Sequence, residues 1–506
     1  MEQIINTHNL TKKFGEFYAN KDINLQINKG DFHALVGENG AGKTTLMNML
    51  YGLYSPSSGD IYIKGKKVEI KNPKDAIKNK IGMVHQHFKL VESLTIAENI
   101  FLGNEISKRK LFINYEKEKQ IVQGLIDEYS YSFKANSKVK ELSVGEKQKV
   151  EILKVLYQNA EILILDEPTA VLTPQEVEEL LKSLKDLQKK GKTIIIITHK
   201  LNEVKDFSDN VTVLRRGEIV GSAKTSEISI KEIAKMMVGR EVILNVDKVK
   251  SDIGDVIYSV EGVSLHNKSR VILDNININV RKGEIVGIAG VEGNGQTELF
   301  GILSGIIKCN NGVIKHNDKE ITCFDSRKIR KNKIGIIPED RYIYALCSDM
   351  SIYKNIIAGY HYSYASKKIG IFNWEKIKNH SENLKNKFDI RTNSIENNVN
   401  SLSGGNAQKV VIARELSQNP EVLLVSQPTR GVDIGSIEFI HSEIMQCKNK
   451  GMGILLFSSE LSEIINLSDR VLIMYKGKIL GELEGEDINK EKIGVLMSGM
   501  DVNSDD

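Results

Sequence analysis

Gly37-Glu38-Asn39-Gly40-Ala41-Gly42-Lys43-Thr44 is the stretch that decides the fold. It follows a short apolar run, Ala34-Leu35-Val36, that reads as a strand. It opens a segment in which Leu46, Met47 and Leu50 recur at helical spacing before Gly52, a candidate C-cap. Strand, glycine-rich turn and helix in that order build an anion cradle. The glycines let backbone N–H groups curl round phosphate oxygens where a Cβ would obstruct them. The helix N-terminus adds partial positive charge. Lys43 would reach the β- and γ-phosphates, the Thr44 hydroxyl would ligate magnesium, and Thr45 completes the set. A glycine-rich turn that binds nothing is the bland alternative, and the full spacing in the required context speaks against it.

Working outward, the motif recurs. Gly290-Val291-Glu292-Gly293-Asn294-Gly295-Gln296-Thr297 keeps the glycines and the spacing, but Gln296 stands in place of the lysine. The repeat runs through the chain: Gly59 matches Gly312, Gly103 matches Gly359, Ser143 matches Ser403, and Gly239 matches Gly499. Length changes confined to a few intervals mean that loops changed and the core did not. The pattern predicts a first domain over residues 1–242, a short linker over 243–255, and a second domain over 256–506. Short apolar runs such as Ile162-Leu163-Ile164-Leu165 and Thr193-Ile194-Ile195-Ile196-Ile197 alternate with helical patterns, which predicts an α/β fold with a parallel sheet in each copy.

Composition narrows the function class. Hydrophobic content of 41%, charged content of 27% and a net charge of +4 are ordinary for a globular chain and call for no nucleic-acid partner. No apolar run reaches the roughly 20 residues of a membrane helix, and the start of the chain lacks a signal-peptide pattern, so a cytosolic protein is expected. Cys309, Cys323, Cys347 and Cys447 form no metal-type spacing and read as buried structural thiols.

Further motifs carry chemistry. Ile162-Leu163-Ile164-Leu165-Asp166-Glu167 is an apolar strand ending in two carboxylates, which places both beside the phosphate loop in such a sheet. Asp166 would hold magnesium and Glu167 would polarise the attacking water as general base. Leu142-Ser143-Val144-Gly145-Glu146 and Leu402-Ser403-Gly404-Gly405-Asn406 each precede a helix. Ser-x-Gly there is more often an N-cap than a ligand site, but a capped helix start is itself an anion site, and the segment recurs in both repeats.

Phosphate loop, Gln86, LSxG segment, Asp166-Glu167 and His199 occur in the order and spacing of ABC-type ATPase subunits, and the resemblance covers nearly the whole chain, twice. It implies tandem domains, each with a parallel-sheet core, an antiparallel β subdomain and a helical subdomain. It implies head-to-tail closure, with ATP between the phosphate loop of one half and the signature of the other. Site one would be Gly37, Glu38, Asn39, Gly40, Ala41, Gly42, Lys43, Thr44, Thr45, Gln86, Asp166, Glu167 and His199, closed by Ser403, Gly404 and Gly405, with magnesium on Thr44, Gln86 and Asp166. Phe14 resembles the aromatic that stacks on adenine, and core packing is its alternative. Site two would use Gly290, Gly295, Gln296 and Thr297, closed by Ser143 and Gly145. There Gln296, Glu339, Ser426, Gln427 and Ser459 replace the functional residues, and Asn267 stands where Phe14 does, so hydrolysis is not expected.

One intact and one degenerate site resemble the ATP-binding subunits of simple-sugar importers, of the ribose and galactose type. Finer stretches, such as His85-Gln86-His87-Phe88-Lys89-Leu90-Val91 and Glu167-Pro168-Thr169-Ala170-Val171-Leu172-Thr173-Pro174, look like the nucleoside-importer branch. That resemblance implies two transmembrane permeases, an extracellular substrate-binding lipoprotein and a place on the cytoplasmic face of the membrane. It also implies that residues 87–103 and 341–359 meet permease loops. A simple-sugar cargo is the alternative, and a soluble tandem ATPase acting on ribosomes or nucleic acid is the alternative from another class.

Overall fold

A computed structural model describes residues 2–86, 88–108, 112–129, 131–169, 172, 174–241, 253–267, 270–291, 293–365, 371–497 and 499. His87, Ala170, Val171, Thr173, Glu292, most of the expected linker and the last residues of the chain lie outside them. The chain divides into two compact units, Met1–Val242 and Ile243–Asp506.

In the first unit a six-stranded sheet runs in the order Glu218–Lys224, Asn210–Arg215, Phe32–Val36, Thr193–Ile197, Ile162–Asp166, Ile81–Val84. All neighbours are parallel except the edge pair Glu218–Lys224 with Asn210–Arg215. The three central strands are buried along their whole length, which is why they read as unbroken apolar runs. A second, antiparallel sheet is built on Gln3–Phe14 and packs its Ile4, Ile5 and Leu10 with Leu46 and Leu50 of the helix Lys43–Tyr51. A helical segment, Ile96–Phe101, Tyr115–Glu128 and Val144–Tyr157, has its own core of Ile100, Phe101, Val122, Ile126 and Leu153.

The second unit repeats the plan. Its parallel sheet runs Ile334–Ile337, Val422–Ser426, Gly453–Ser458, Ile285–Ala289, Arg470–Tyr475, with antiparallel Lys478–Glu484 at the edge. The repeat register extends to backbone conformation. Non-glycine residues with positive φ recur in matched pairs, Lys80 with Lys333, Asn159 with Asn419, and Glu167 with Gln427. Trp374 opens the helix Trp374–Lys387 and packs edge-on against Tyr353, a helical-segment contact.

The cysteines correct one expectation. Only Cys447 is buried; Cys309 is half-buried, and Cys323 and Cys347 are exposed. At Cys347 the backbone is what the fold holds: its N–H and carbonyl are both tied to the Asn355 side-chain amide, at 2.8 and 3.1 Å, leaving the thiol outside.

Candidate functional site

The strand Phe32–Val36 ends at Gly37, where a Cβ would stand 2.4 Å from the Leu214 carbonyl oxygen. Gly42 has φ of 98° and a Cβ there would meet the Ala19 carbonyl at 2.4 Å. Both positions therefore exclude side chains, and the loop curls tightly enough for Lys43 to fold back over it. The Lys43 ammonium donates to the carbonyls of Gly37 and Glu38 at 2.8 and 3.0 Å. Burial lowers its pKa, against the pull of Glu167, Asp166 and Glu38.

Asp166 ends its strand facing this loop. The Thr44 hydroxyl donates to Asp166 Oδ1 at 3.4 Å. Burial pushes the Asp166 carboxyl upward, with the Thr44 bond and Lys43 opposing and neighbouring Glu167 adding to the rise. A buried carboxylate short of positive charge suits a cation. Among the described residues no cluster of three or more His, Cys, Asp or Glu could hold a metal alone. The donor set fits a magnesium held mostly by phosphate oxygens and water, with few protein ligands.

Glu167 adopts φ of 46°, and its N–H is tied to the Ile197 carbonyl at 3.0 Å. This left-handed turn swings its carboxylate between two partners. Gln86 Nε2 donates to Oε2 at 3.1 Å, and His199 Nδ1 lies 3.3 Å from Oε1. The His199 bond holds the Glu167 carboxyl below its ordinary value, against burial. Sequence-distant Gln86, Glu167 and His199 thus meet at one point, beside Lys43 and Asp166. Phe14 is 45% exposed, edge-on to Tyr54 at 5.5 Å between centroids, so it is not a core residue.

The second unit keeps this geometry and changes its chemistry. Gln427 has φ of 48°, with its N–H on the Phe457 carbonyl at 2.8 Å. Its Oε1 accepts from the Ser459 N–H and hydroxyl, both at 3.2 Å. Ser426 is buried where Asp166 sits in the first unit. A Cβ on Gly290 would come within 2.4 Å of Gln296 Nε2, so this neutral amide folds over the loop as Lys43 does in the other. Gly295 again starts the helix, Gln296–Leu303, in the left-handed region, and Thr297 follows. Glu339, at the position of Gln86, is ion-paired with Arg430. Asn267 accepts from the Arg270 N–H at 3.0 Å and offers no ring.

Ser143 and Ser403 are both N-caps, of the helices Val144–Tyr157 and Gly404–Leu416. They differ in charge. Glu146 closes a capping box on Ser143, its carboxylate accepting from the Ser143 N–H at 2.8 Å. Asn406 takes its place in the second unit, with its amide on the Ser403 hydroxyl at 2.9 Å and no charge. The first signature carries a carboxylate within its own capping box; the second has a neutral amide in that place, and the carboxylate nearest its first turn is that of Asp433, whose Oδ2 a Cβ on Gly405 would meet at 2.8 Å. Gly405 is required by close packing, since a Cβ would meet the Ser436 hydroxyl at 2.1 Å and the Ser436 Cβ at 2.9 Å; at Gly145 a Cβ would meet the Glu176 carboxylate at 2.7 Å, a flexible chain end that can give way. The sequence motifs give no site role to Arg430, and none to Glu146 or Arg341 beyond their places in the first signature stretch and the 341–359 segment. Residue-by-residue comparison of the two repeats carries the signal for all three.

The ABC transporter family profile matches residues 20–170 and 273–430. Nucleoside import ATP-binding protein NupA of Lactococcus lactis is 42% identical over 503 residues, covering 99% of both chains. Guanosine import ATP-binding protein NupO of Bacillus subtilis is 42% identical over 500 residues, 99% of this chain and 98% of the other. Ribose import ATP-binding protein RbsA of Caldanaerobacter subterraneus is 39% identical over 497 residues, 97% and 98% of the two chains. The chain belongs to the ABC transporter family. It is a tandem ATP-binding subunit of that family, and its activity is ATP hydrolysis.

Proposed function

We propose that this chain powers nucleoside import across a membrane, hydrolysing one ATP per chain at the Lys43 site. The observation that carries the asymmetry is the contact of Glu167 with Gln86 and His199, against Gln427 capped by Ser459. An ionised carboxylate can take a proton from water; an amide cannot. In the reaction Lys43 leaves its carbonyl partners for the β- and γ-phosphates. Glu167 accepts the proton of the attacking water as the new O–P bond forms and the bond to the bridging oxygen breaks. Magnesium, when bound, neutralises phosphate charge, and Thr44, Asp166 and Gln86 are the residues that would hold it. Ser403, Gly404 and Gly405 close over the γ-phosphate head to tail, and Phe14 stacks on the adenine. Site two holds nucleotide weakly at most and does not turn it over.

The nucleoside cargo rests on the 42% identity with the nucleoside and guanosine import proteins, against 39% with the ribose one. Two permeases, a substrate-binding lipoprotein and a position on the cytoplasmic face follow from the same likeness. No described helix is long and apolar enough to cross a membrane. The helix Arg341–Tyr344 lies in one of the segments assigned to permease contact and exposes Ile343 and Tyr344 at 71% and 56%. Uptake by vesicles carrying the chain with its genomic permease neighbours tests the cargo. Labelled guanosine or another nucleoside should accumulate, and ribose should not compete. Ribose accumulation would make the cargo a sugar. Sedimentation with ribosomes and not membranes would favour the soluble tandem ATPase.

A further inference from the structure

The second unit carries two guanidinium groups that the first lacks. Gln86 is followed two residues later by Phe88, whereas Glu339 is followed by Arg341; after the site strand, Ala170 is matched by Arg430. Arg430 pairs with Glu339. Arg341 Nη1 donates to the Arg430 carbonyl at 2.9 Å, and Nη2 donates to the Gly431 carbonyl at 3.3 Å. That same Nη2 lies against the signature. A Cβ on Gly404 would come within 2.9 Å of it and within 2.8 Å of the Gly431 carbonyl. Asp340 fixes the segment from the other side, its carboxylate accepting from the N–H groups of Tyr342 and Ile343 at 2.8 and 3.0 Å.

We propose that Arg341 is a positioning residue for ATP closure at site one, its guanidinium holding the start of the Gly404–Leu416 helix against the Arg430–Gly431 turn. The inference rests on the head-to-tail closure proposed above. A planar guanidinium can fork onto two carbonyls while its flank presses on a glycine; an ammonium cannot hold that geometry. Its charge matters too. A cation beside a helix N-terminus is unfavourable alone and becomes favourable once an anion arrives there. Arg341 therefore favours the nucleotide with a γ-phosphate. This gives the half that lost its own chemistry a second means, besides Ser403–Gly405, of serving the other half.

The test measures binding of fluorescent ATP and ADP analogues to the full chain carrying Glu167→Gln, which blocks turnover. Adding Arg341→Gln should weaken ATP about tenfold and ADP less than twofold, since ADP lacks the phosphate that the signature meets. Arg341→Lys should recover part of the ATP preference. Equal losses for ATP and ADP, or no loss, would overturn the proposal; a purely structural role gives the equal loss together with a lowered Tm. Ser403→Ala in the same background separates the two levels. If Ser403→Ala costs ATP preference and Arg341→Gln does not, only the role of Arg341 fails. If neither does, the closure itself fails and this inference with it.

Discussion

Glu167→Gln is the perturbation that bears hardest on the site. The structure contains its own control, because Gln427 occupies the matched position with nearly the same φ, 48° against 46°. Glutamine therefore fits the strained turn, and the backbone bond to Ile197 survives, as the equivalent bond from Gln427 to Phe457 does. Stability should change by about 1 kcal/mol, since the hydrogen bonds to Gln86 and His199 both lose a charged acceptor while shape and burial stay. That corresponds to a Tm change of about 2–4 °C for a unit of this size. Activity should change far more. Losing a positioned general base costs about 10²–10⁴ in rate, or roughly 3–5 kcal/mol in barrier. Phosphate release at saturating ATP, with differential scanning fluorimetry alongside, measures both. A kcat within tenfold of the parent chain, in a protein of unchanged Tm, would refute the assignment of Glu167 as base.

Three further outcomes follow from named contacts. Gly40 and Gly42 both have positive φ, but a Cβ at Gly40 meets open space and one at Gly42 meets the Ala19 carbonyl at 2.4 Å. Gly40→Ala should cost about 1–2 kcal/mol from the left-handed backbone alone, and Gly42→Ala clearly more, both read by urea unfolding. His33 is fully buried against Thr212, and burial pushes its imidazole down to about 4. A lowered histidine value means the unfolded chain takes the proton first, so the stability is complete above about 6.5 and is lost as pH falls toward 4. The loss is about 3 kcal/mol over that window. His33→Val introduces the residue that Val286 supplies at the matched position, opposite Arg470 as His33 is opposite Asn210, and should flatten the pH dependence of unfolding there. Gln427→Glu should leave phosphate release at the level of one site per chain, because Gln296 and Ser426 still supply neither cation nor magnesium ligand; a doubled burst of hydrolysis would contradict this.

The contiguous parts of the candidate site are legible in the sequence. The phosphate loop, Asp166 and Glu167 are contiguous motifs whose neighbours in sequence dictate their neighbours in space: a buried strand, a glycine turn and a helix start. Gln86 and His199 were placed by family order and spacing, and the structure brings both onto Glu167. The cysteines were misread because burial is not a property of cysteine alone. Their spacing excluded a metal site but carried no information on which turns would face solvent. Phe14 could be read either as core or as stacking ring, and its exposure at the end of a strand removed the first.

The sequence by itself determined the duplication, the α/β class and the uneven chemistry of the two loops, because each depends on which residues lie within a few positions of one another. Only the tertiary structure decided what those residues do to each other. It gave Glu167 the left-handed turn that sets its carboxylate between Gln86 and His199. It also brought Asp433 and Ser436 against Gly405 and laid Arg341 beside Gly404. Local patterns fix strands, turns and helix starts through short-range sterics. Contacts such as Glu167 with His199, 32 residues apart, and with Gln86, 81 apart, exist only once parallel strands bring their ends to one edge of a sheet.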